Sequence, residues 1–370
     1  MTMELLYNRL KKIIKGADVL KKLHQKRQRW LLRRNTKNMR RRKKRSDRKR
    51  RENQKNIARK SSGLKSKDNG VIVKAPVVCD IINNTAVALQ FFDSVNKRIR
   101  SAKLDGCIYF DFFSTESISV DFIMYLIAII KNTKRLAALR IVCEGNFPKN
   151  QDARKVFEMS GFYNYVSSSK PVSNSFDENK RVSITRGDLA DPQLVGSICD
   201  FVHTATGTGR LDTKRLFRLL IEMMTNVAQH AYKDLTRMSS SWYIFVSDTP
   251  DGVRFVFLDT GLGIPQTIRM NWIEKITSLF DKSDAHFIAS ALKGDFRTET
   301  ESFHRGKGLP EIYSCAQDGQ FKRFNVVSGR GLCEVLDNGD VDERKLASAL
   351  NGTLYSWVLQ KDYVEVIEHE

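Results

Sequence analysis

Three short segments in the C-terminal half constrain this chain more than any other feature, because each joins polar or glycine residues to an apolar element. In chain order they read Glu222-Met-Met-Thr-Asn226, Asp259-Thr-Gly261-Leu-Gly263 and Gly306-Lys307-Gly308-Leu309. The first lies within a helical pattern, the second follows a strand pattern, and the third precedes another apolar segment. One such segment alone is uninformative, whereas the order, spacing and chemistry of all three together limit both fold and function.

The first segment belongs to a predicted helix over residues 215–232. The apolar residues that recur there at helical spacing are Leu216, Leu219, Leu220, Met223, Met224, Val227, Ala228 and Ala231. Glu222 and Asn226 are four residues apart and therefore share one face of this helix. A carboxylate and an amide oxygen one turn apart can hold a hydrated Mg²⁺ and orient a water beside a triphosphate. The alternative interpretation is a solvated polar stripe.

The second and third segments have the chemistry of base and phosphate binding. Asp259 is the only charge in a turn that follows a predicted strand over residues 253–258, and a carboxylate there can accept the exocyclic amine of adenine. The two glycines of that turn let the backbone pass close to a flat base, although a common tight turn is the alternative. Gly306, Lys307 and Gly308 precede an apolar segment over residues 309–315, which is typical of a phosphate-binding loop that leads into a helix.

Taken together, the three segments resemble the N, G1 and G2 boxes of the GHKL ATPase superfamily, which includes the ATP-binding domains of gyrase, heat-shock chaperones, histidine kinases and MutL. The resemblance covers residues 194–360. A fourth match is residues 351–358, which are similar to the family's closing strand, whose Gly-Thr pair, here Gly352 and Thr353, lies near the adenine. The resemblance implies an α+β fold class, a C-terminal GHKL (Bergerat) two-layer α/β sandwich with a mixed sheet, and ATP and Mg²⁺ as cofactors.

The resemblance also implies roles for individual residues. Glu222 would be the general base that activates a water or an acceptor hydroxyl, and Asn226 the Mg²⁺ ligand. Asp259 would bind adenine, with Gly261 and Gly263 shaping its pocket. The other nucleotide-binding residues that it implies are Arg305, Gly306, Lys307, Gly308 and Leu309 around the phosphates and Thr353 near the adenine.

Two further features of this region follow from the resemblance. Residues 265–305 correspond to the mobile lid of the family, and the cations there or just beyond that are candidates for the γ-phosphate are Arg297, Arg305 and Lys307. Arg297 can equally be solvated. His230 and Tyr232 are similar to the end of the N box in anti-sigma-factor serine kinases, with a core or edge histidine as the alternative for His230.

The fate of the phosphate is open at the level of sequence. A water held by Glu222 gives an ATP hydrolase, whereas a serine of a partner protein gives a serine/threonine protein kinase. In a third alternative, ATP only sets the conformation of a non-catalytic nucleic-acid-binding protein. A histidine kinase is disfavoured, because His24 lies in a basic run without an acidic neighbour. We expect an ATP hydrolase that acts as a regulatory switch.

The basic charge of the chain is confined to its N-terminal tail. Residues 1–67 contain 27 Lys and Arg against 4 Asp and Glu, whereas the remaining residues contain 36 and 38. Such a run cannot bury enough surface to fold alone, and it suits phosphate neutralisation, so we expect nucleic acid to bind at residues 9–67. A heptad-like seam consists of Leu6, Leu10, Ile13, Ala17 and Leu20. The alternatives are adsorption to anionic lipid, a nuclear import signal and a solubilising arm.

Cysteine usage and hydropathy predict a soluble cytoplasmic protein. The six cysteines are scattered singly through apolar segments without metal-ligand spacing, so they are expected to be small buried side chains in a reducing compartment. The longest apolar run, residues 122–130, is shorter than the roughly 20 residues that cross a bilayer. The first residues carry charges where a secretory signal requires an apolar core.

The middle of the chain predicts a second α/β region. Strands are predicted over residues 107–113 and 139–143, and helices over residues 122–132 and 153–159. This order is similar to STAS domains, and nearer to the STAS-like modules found beside ATPases, which implies a protein partner for this region. In anti-anti-sigma STAS proteins a serine at the start of the helix after the central strand takes phosphate.

The residues in the corresponding neighbourhood are Ser114, Ser117, Ser119 and Asp121. The alternative is that they cap the helix that begins near residue 120. The predicted organisation is therefore a basic, helical or disordered tail over residues 1–70, a STAS-like domain over residues 71–180 and a GHKL domain over residues 181–362. A homo-oligomer is compatible with this organisation.

Overall fold

A computed structural model describes residues 70–102, 104–133, 136, 139–166, 181–206, 213–230, 240–271, 282–295 and 308–361. By its internal contacts the chain divides after Asp68, and its second unit, Asn69–Glu370, is compact. The basic tail, with its predicted apolar seam and its predicted nucleic-acid-binding residues, lies outside the described residues. The described elements belong to the second unit, which has an α+β fold.

The N-terminal part of this unit alternates short strands with helices, as the sequence predicts. Its strands are β1 (Gly70–Lys74), β2 (Val78–Cys79), β3 (Cys107–Asp111), β4 (Ser117–Ile118) and β5 (Val142–Gly145). Its helices are α1 (Thr85–Ser101), α2 (Val120–Asn132) and α3 (Gln151–Met159). Strands β1, β3 and β5 form a parallel sheet in that order, and β2 pairs with β4 in parallel. Parallel pairing is possible because helices connect these strands.

The C-terminal part is a five-stranded sheet with helices. Its strands are β6 (Arg181–Gly187), β7 (Trp242–Thr249), β8 (Gly252–Asp259), β9 (Phe321–Val335) and β10 (Val341–Leu359). Its helices are α4 (Pro192–Thr206), α5 (Thr213–His230), α6 (Ile264–Asn271), α7 (Asp284–Lys293) and α8 (Gly308–Gln317). The strand order is β6-β7-β8-β10-β9, and every neighbouring pair is antiparallel. The predicted mixed sheet is therefore wrong for the described strands, because two hairpins, β7–β8 and β9–β10, supply four of the five.

The two faces of the five-stranded sheet belong to two different cores, because successive side chains of a strand point to opposite faces. The residues of β7 and β8 that pack with helices α4 to α8 include Trp242, Ile244, Phe255 and Phe257. The residues that pack with helices α1 and α2 include Tyr243, Phe245, Val256 and Leu258. The sheet is consequently covered on both faces, and the predicted two-layer sandwich is one part of a thicker unit.

Helix α2 explains why the N-terminal region shares a core with one face of the five-stranded sheet. Ten of its 13 residues are buried, since its apolar side chains surround the helix axis instead of forming one stripe. Its core also includes Ile108 of β3 and Leu258 of β8, so α2 belongs to the same core as the parallel sheet and one face of the antiparallel sheet. Among the described helices, none combines the length and the apolarity that a membrane crossing requires.

Candidate functional site

Asp259 is the last residue of β8, where it lies beside Trp242 of β7 and Thr353 of β10. By strand alternation its side chain lies on the face of Phe257, which packs with helices α4 to α8. Its Oδ1 accepts a hydrogen bond of 2.6 Å from the Gly261 backbone N–H. Burial raises the pKa of this carboxyl to about 6, against the opposing effect of that hydrogen bond. Asp259 is therefore an ionised acceptor at neutral pH, in an environment that disfavours its charge.

Glycines surround Asp259 where a side chain would not fit. Gly263 has a φ of +83°, and a Cβ there would lie 2.7 Å from the Ser328 Oγ. Gly352 has a φ of +106°, and its Cβ would collide with the Asp259 carbonyl oxygen. At Gly261 a Cβ would lie 2.9 Å from the Asp259 Oδ1. Glycine at these positions lets the turn after β8 and the strand β10 close on Asp259.

Ser328 of β9 is a site residue that no sequence motif indicated. Its hydroxyl accepts a hydrogen bond of 3.0 Å from the Ile264 backbone N–H and donates one of 2.8 Å to the Gly352 carbonyl oxygen. The Thr353 hydroxyl lies 3.0 Å from the same oxygen of Ser328. These bonds join the start of α6 to β9 and β10 beside Asp259. The available signal was a serine followed by Gly329 inside an apolar strand, where glycine marks a close approach.

Glu222 and Asn226 lie one turn apart on α5, as the helical pattern predicts. The buried residues of that helix are Leu216, Leu219, Leu220, Met223, Met224 and Val227. Glu222 is partly buried and Asn226 is exposed, so both lie at the margin of the apolar face. Helix α5 packs against α4 and α8, in the layer that covers the sheet face of the Asp259 side chain.

Helix α8 begins at Gly308, within the third motif. Leu309 is partly buried against the core of the helical layer. Arg215 of α5 fixes the other end of α8, because its guanidinium donates to the Ser314 Oγ at 3.0 Å and to the Asp318 carboxylate at 3.3 Å. The predicted residues that lie outside the described part of the chain are Arg297, Arg305, Gly306, Lys307 and Tyr232, together with the side chain of His230.

The structure brings some of the predicted site residues together. It places others in the helical layer that covers the same face of the sheet. Asp259, Gly261, Gly263 and Thr353 form a continuous group at one end of the sheet. The helices that carry Glu222, Asn226 and Gly308 lie in the layer over the same sheet face. An acceptor carboxylate and a hydroxyl among glycines suit a flat base with an exocyclic amine, and a helix start suits a phosphate.

The described part of the chain contains no group of three His, Cys, Asp or Glu side chains that could hold a metal ion. This finding is compatible with Mg²⁺, which usually keeps several waters and binds proteins through one or two side chains plus substrate phosphates. The exposed amide of Asn226 is an oxygen ligand of the kind that such an ion accepts.

The serines near the start of α2 lie in two environments. Ser114 and Ser117 are exposed. Ser119 is buried at the N-cap position of α2, where its single hydroxyl proton is shared between the Cys79 carbonyl oxygen and the Asp121 carboxylate. Asp121 accepts a bond of 2.6 Å from the Phe122 N–H, and burial raises its pKa. Of the two interpretations, capping fits Ser119 in position, although its hydroxyl makes no bond to the helix backbone.

The cysteines behave as buried apolar side chains, as their distribution predicts. Cys79, Cys199, Cys315 and Cys333 are buried, Cys107 and Cys143 are partly buried, and all six are free thiols. Burial raises the pKa of Cys79 and Cys333 to about 12. Protonated thiols of this kind are poor nucleophiles and poor metal ligands.

No protein-family model matches this sequence, and no curated protein is similar to it.

Proposed function

We propose that residues 181–362 bind Mg·ATP as a GHKL-type ATPase domain. The observation that carries this proposal is the group around Asp259, whose carboxylate accepts a bond from the Gly261 N–H, whose carbonyl packs against Gly352 and whose partner in the sheet is Thr353. It supports an adenine-binding group because an acceptor carboxylate lies at the end of a strand, and the glycines let the backbones of the turn and of β10 approach it closely.

Asp259 supplies the specificity in this proposal. Its carboxylate accepts a hydrogen bond from the exocyclic amine of adenine. In a base with a carbonyl at that position, two acceptors would face each other and no hydrogen bond would form. Thr353, which is 1% exposed and lies beside Asp259 in the sheet register, bonds Ser328 through its hydroxyl and so holds β10 in place next to that carboxylate. Because buried polar groups that are left unpaired are costly, the discrimination between bases is expected to be large.

The helices supply the groups for the phosphates. The amide oxygen of Asn226 would bind Mg²⁺, which when bound would neutralise phosphate charge. The backbone N–H groups at the start of α8, beginning at Gly308, point along the helix axis and favour an anion. Gly306 and Lys307 precede that helix start directly in the sequence, so they belong to the same proposed phosphate site.

Glu222 is the proposed general base. Its carboxylate would take the proton of a nucleophile as the nucleophile's oxygen bonds to the γ-phosphorus, and the bond between that phosphorus and the β-γ bridging oxygen breaks, leaving its electron pair on ADP. With water as nucleophile the reaction is hydrolysis, which is the leading proposal. With a serine hydroxyl of a partner it is protein phosphorylation.

Nucleotide binding is tested with the full-length chain by calorimetry with ATP and Mg²⁺. We expect Asp259→Ala and Asn226→Ala each to weaken ATP binding strongly. Asp251→Asn is the matched control, because Asp251 is exposed in the turn at the opposite end of β8. ATP affinity that is unchanged in both site variants would overturn the proposal.

The fate of the γ-phosphate is followed with radiolabelled ATP and copurified proteins. Label released as free phosphate supports the hydrolase, and label on another protein supports the serine kinase. Tight binding without turnover supports the non-catalytic sensor. The basic tail is proposed to contact nucleic acid and the STAS-like region a protein partner, so that the whole chain acts as an ATP-dependent regulatory switch.

A further inference from the structure

Helix α2 of the N-terminal region makes hydrogen bonds to the residue that follows β8 and to β10, on both sides of the proposed adenine pocket. Asn132, its last residue, donates from Nδ2 to the Thr260 Oγ1 at 3.0 Å. Tyr125, two turns earlier, accepts at its hydroxyl a bond of 2.9 Å from the Asn351 backbone N–H. Residues seven apart lie on nearly the same side of a helix, so one side of α2 contacts both strands.

The contact of Asn132 is part of a buried polar network. The Thr260 hydroxyl also donates to the Ser241 carbonyl oxygen at 3.0 Å and accepts from the Ser241 N–H at 2.9 Å. The Asn132 Oδ1 accepts a bond of 3.1 Å from the Tyr243 hydroxyl. Asn132, Thr260 and Ser241 are all less than 5% exposed. The amide of Asn132 therefore has one orientation that satisfies both neighbours, and the network defines the position of the strand end.

Both contacts lie directly behind the proposed pocket. Asp259 and Thr260 are consecutive, so their side chains point to opposite sides, Asp259 to the helical layer and Thr260 to α2. Asn351 likewise precedes Gly352, whose backbone packs against the Asp259 carbonyl oxygen. A displacement of α2 therefore moves the backbone of Asp259 and that of Gly352 together.

We propose that Asn132 and Tyr125 are positioning residues for adenine recognition, through which the N-terminal region sets the nucleotide affinity of the C-terminal region. The proposal rests on the proposed function and adds a regulatory contact to that site. A partner that shifts α2 would change ATP affinity, and by thermodynamic linkage ATP would change the affinity for that partner by the same factor.

Another contact between the same two regions, away from α2, provides the matched control. The Ser348 hydroxyl donates to the Asp93 carboxylate at 2.8 Å and joins β10 to α1. It crosses the same boundary, but it involves a different helix and lies five residues before Thr353 along β10. A general loss of attachment between the regions affects Ser348→Ala as well, whereas a positioning role is specific to Asn132 and Tyr125.

The experiment compares ATP with inosine triphosphate, which has the same ribose and phosphates but lacks the exocyclic amine. Affinities and melting temperatures are measured for the full-length wild type, Asn132→Ala, Tyr125→Phe, Ser348→Ala and Asp259→Ala. We expect Asn132→Ala to weaken ATP binding about tenfold and Tyr125→Phe about threefold, with little change for inosine triphosphate. Ser348→Ala should retain the wild-type ratio of the two affinities.

Each remaining outcome has a definite meaning. An unchanged ATP affinity in Asn132→Ala and Tyr125→Phe, or an equal loss for both nucleotides, overturns the positioning role and leaves the proposed function intact if Asp259→Ala still loses ATP. If Asn132→Ala does not fold, the conservative Tyr125→Phe alone tests the positioning role, through its ratio of ATP affinity to inosine triphosphate affinity. A wild type that does not bind ATP overturns both the inference and the proposed function.

Discussion

The α-carbon of Gly352 packs so closely against the carbonyl oxygen of Asp259 that no Cβ fits between the two backbones, and the φ of Gly352 is +106°. The contact lies just beyond the antiparallel ladder in which Thr353 pairs with Asp259. Gly352 of β10 thus fixes the carbonyl of Asp259, and the Gly261 N–H fixes the carboxylate of the same residue.

Substitution of Gly352 by alanine should therefore impair both stability and binding. We expect Gly352→Ala to lower the free energy of unfolding by about 2–4 kcal/mol, since it adds a backbone clash to an unfavourable φ, and to weaken ATP binding. Thermal melting and calorimetry measure the two effects.

Gly319→Ala is the control for this substitution. Gly319 has a φ of +77°, but nothing lies within 4 Å of its added Cβ, so only the conformational penalty of about 1 kcal/mol remains. A Gly352→Ala protein as stable as Gly319→Ala would contradict the importance of the contact.

The raised pKa of Asp259 predicts a pH dependence of ATP binding. Its native pKa of about 6 lies above the ordinary carboxyl value of 3.8, so the carboxylate that is proposed to accept the adenine amine is protonated as the pH falls through 6. The ratio of ATP affinity to inosine triphosphate affinity should be constant above pH 7 and fall below pH 6. Inosine triphosphate is the control because its phosphates titrate in the same way.

The raised pKa also predicts that Asp259→Asn stabilises the nucleotide-free protein. Because the native carboxyl binds its proton more tightly than the unfolded one, ionisation lowers the free energy of unfolding as the pH rises from the ordinary pKa to about 6. Each tenfold difference in proton affinity between the native and the unfolded carboxyl lowers the free energy of unfolding by about 1.4 kcal/mol. This loss of stability vanishes below the ordinary pKa, where both carboxyls are protonated. Asparagine keeps an oxygen for the Gly261 N–H and carries no charge.

For Asp259→Asn we therefore expect a higher melting temperature than wild type at pH 7.5, no difference at pH 3.5, and weaker ATP binding. Thermal melting at the two pH values and calorimetry with ATP measure these effects. A lower melting temperature at pH 7.5 would contradict the burial of that charge.

Local sequence patterns predicted most elements near the site, because their physical causes are local. The helix predicted over residues 215–232 is observed as Thr213–His230, and the strand predicted over residues 253–258 as Gly252–Asp259. The helical spacing of apolar residues in the first and the glycines after the second are readable within one window of sequence.

What the sequence did not predict depends on contacts between distant segments. Strand β9 has polar residues and glycines in its interior, where Gly331 approaches the backbone of Ala285, so its strand pattern is interrupted. The bond from Asn132 to Thr260 joins residues 128 positions apart. Nor could local patterns show that the five-stranded sheet is entirely antiparallel, because strand order is set by packing.

Glu222 and Asn226 should have separable effects if they act as proposed. Glu222→Gln keeps a similar shape and should leave ATP affinity within about twofold while lowering turnover by about 10²–10⁴, the usual contribution of a general base. Asn226→Ala should weaken binding of ATP in the presence of Mg²⁺ more than in its absence. Binding is measured by calorimetry and turnover by phosphate release, with Asp251→Asn as the control. Equal turnover in Glu222→Gln and wild type would exclude the base role.

The basic tail should bind nucleic acid through phosphate contacts, and its affinity should therefore depend on salt. The logarithm of the affinity for random duplex DNA should fall linearly with the logarithm of salt concentration, with a slope of about −0.9 per phosphate contact. The variant replaces six consecutive basic residues by glutamine in the full-length chain: Arg40, Arg41, Arg42, Lys43, Lys44 and Arg45.

We expect the slope to become shallower in that variant and ATP affinity to stay unchanged, because the charge lies apart from the proposed pocket in the sequence. The control replaces three exposed basic residues of α1 by glutamine, Lys97, Arg98 and Arg100, which removes charge from the second unit. The change in slope per removed charge is compared between the two variants. If it is the same in both, nucleic acid binds to basic residues throughout the protein and the tail has no special role. Binding that is insensitive to salt would exclude phosphate contacts altogether.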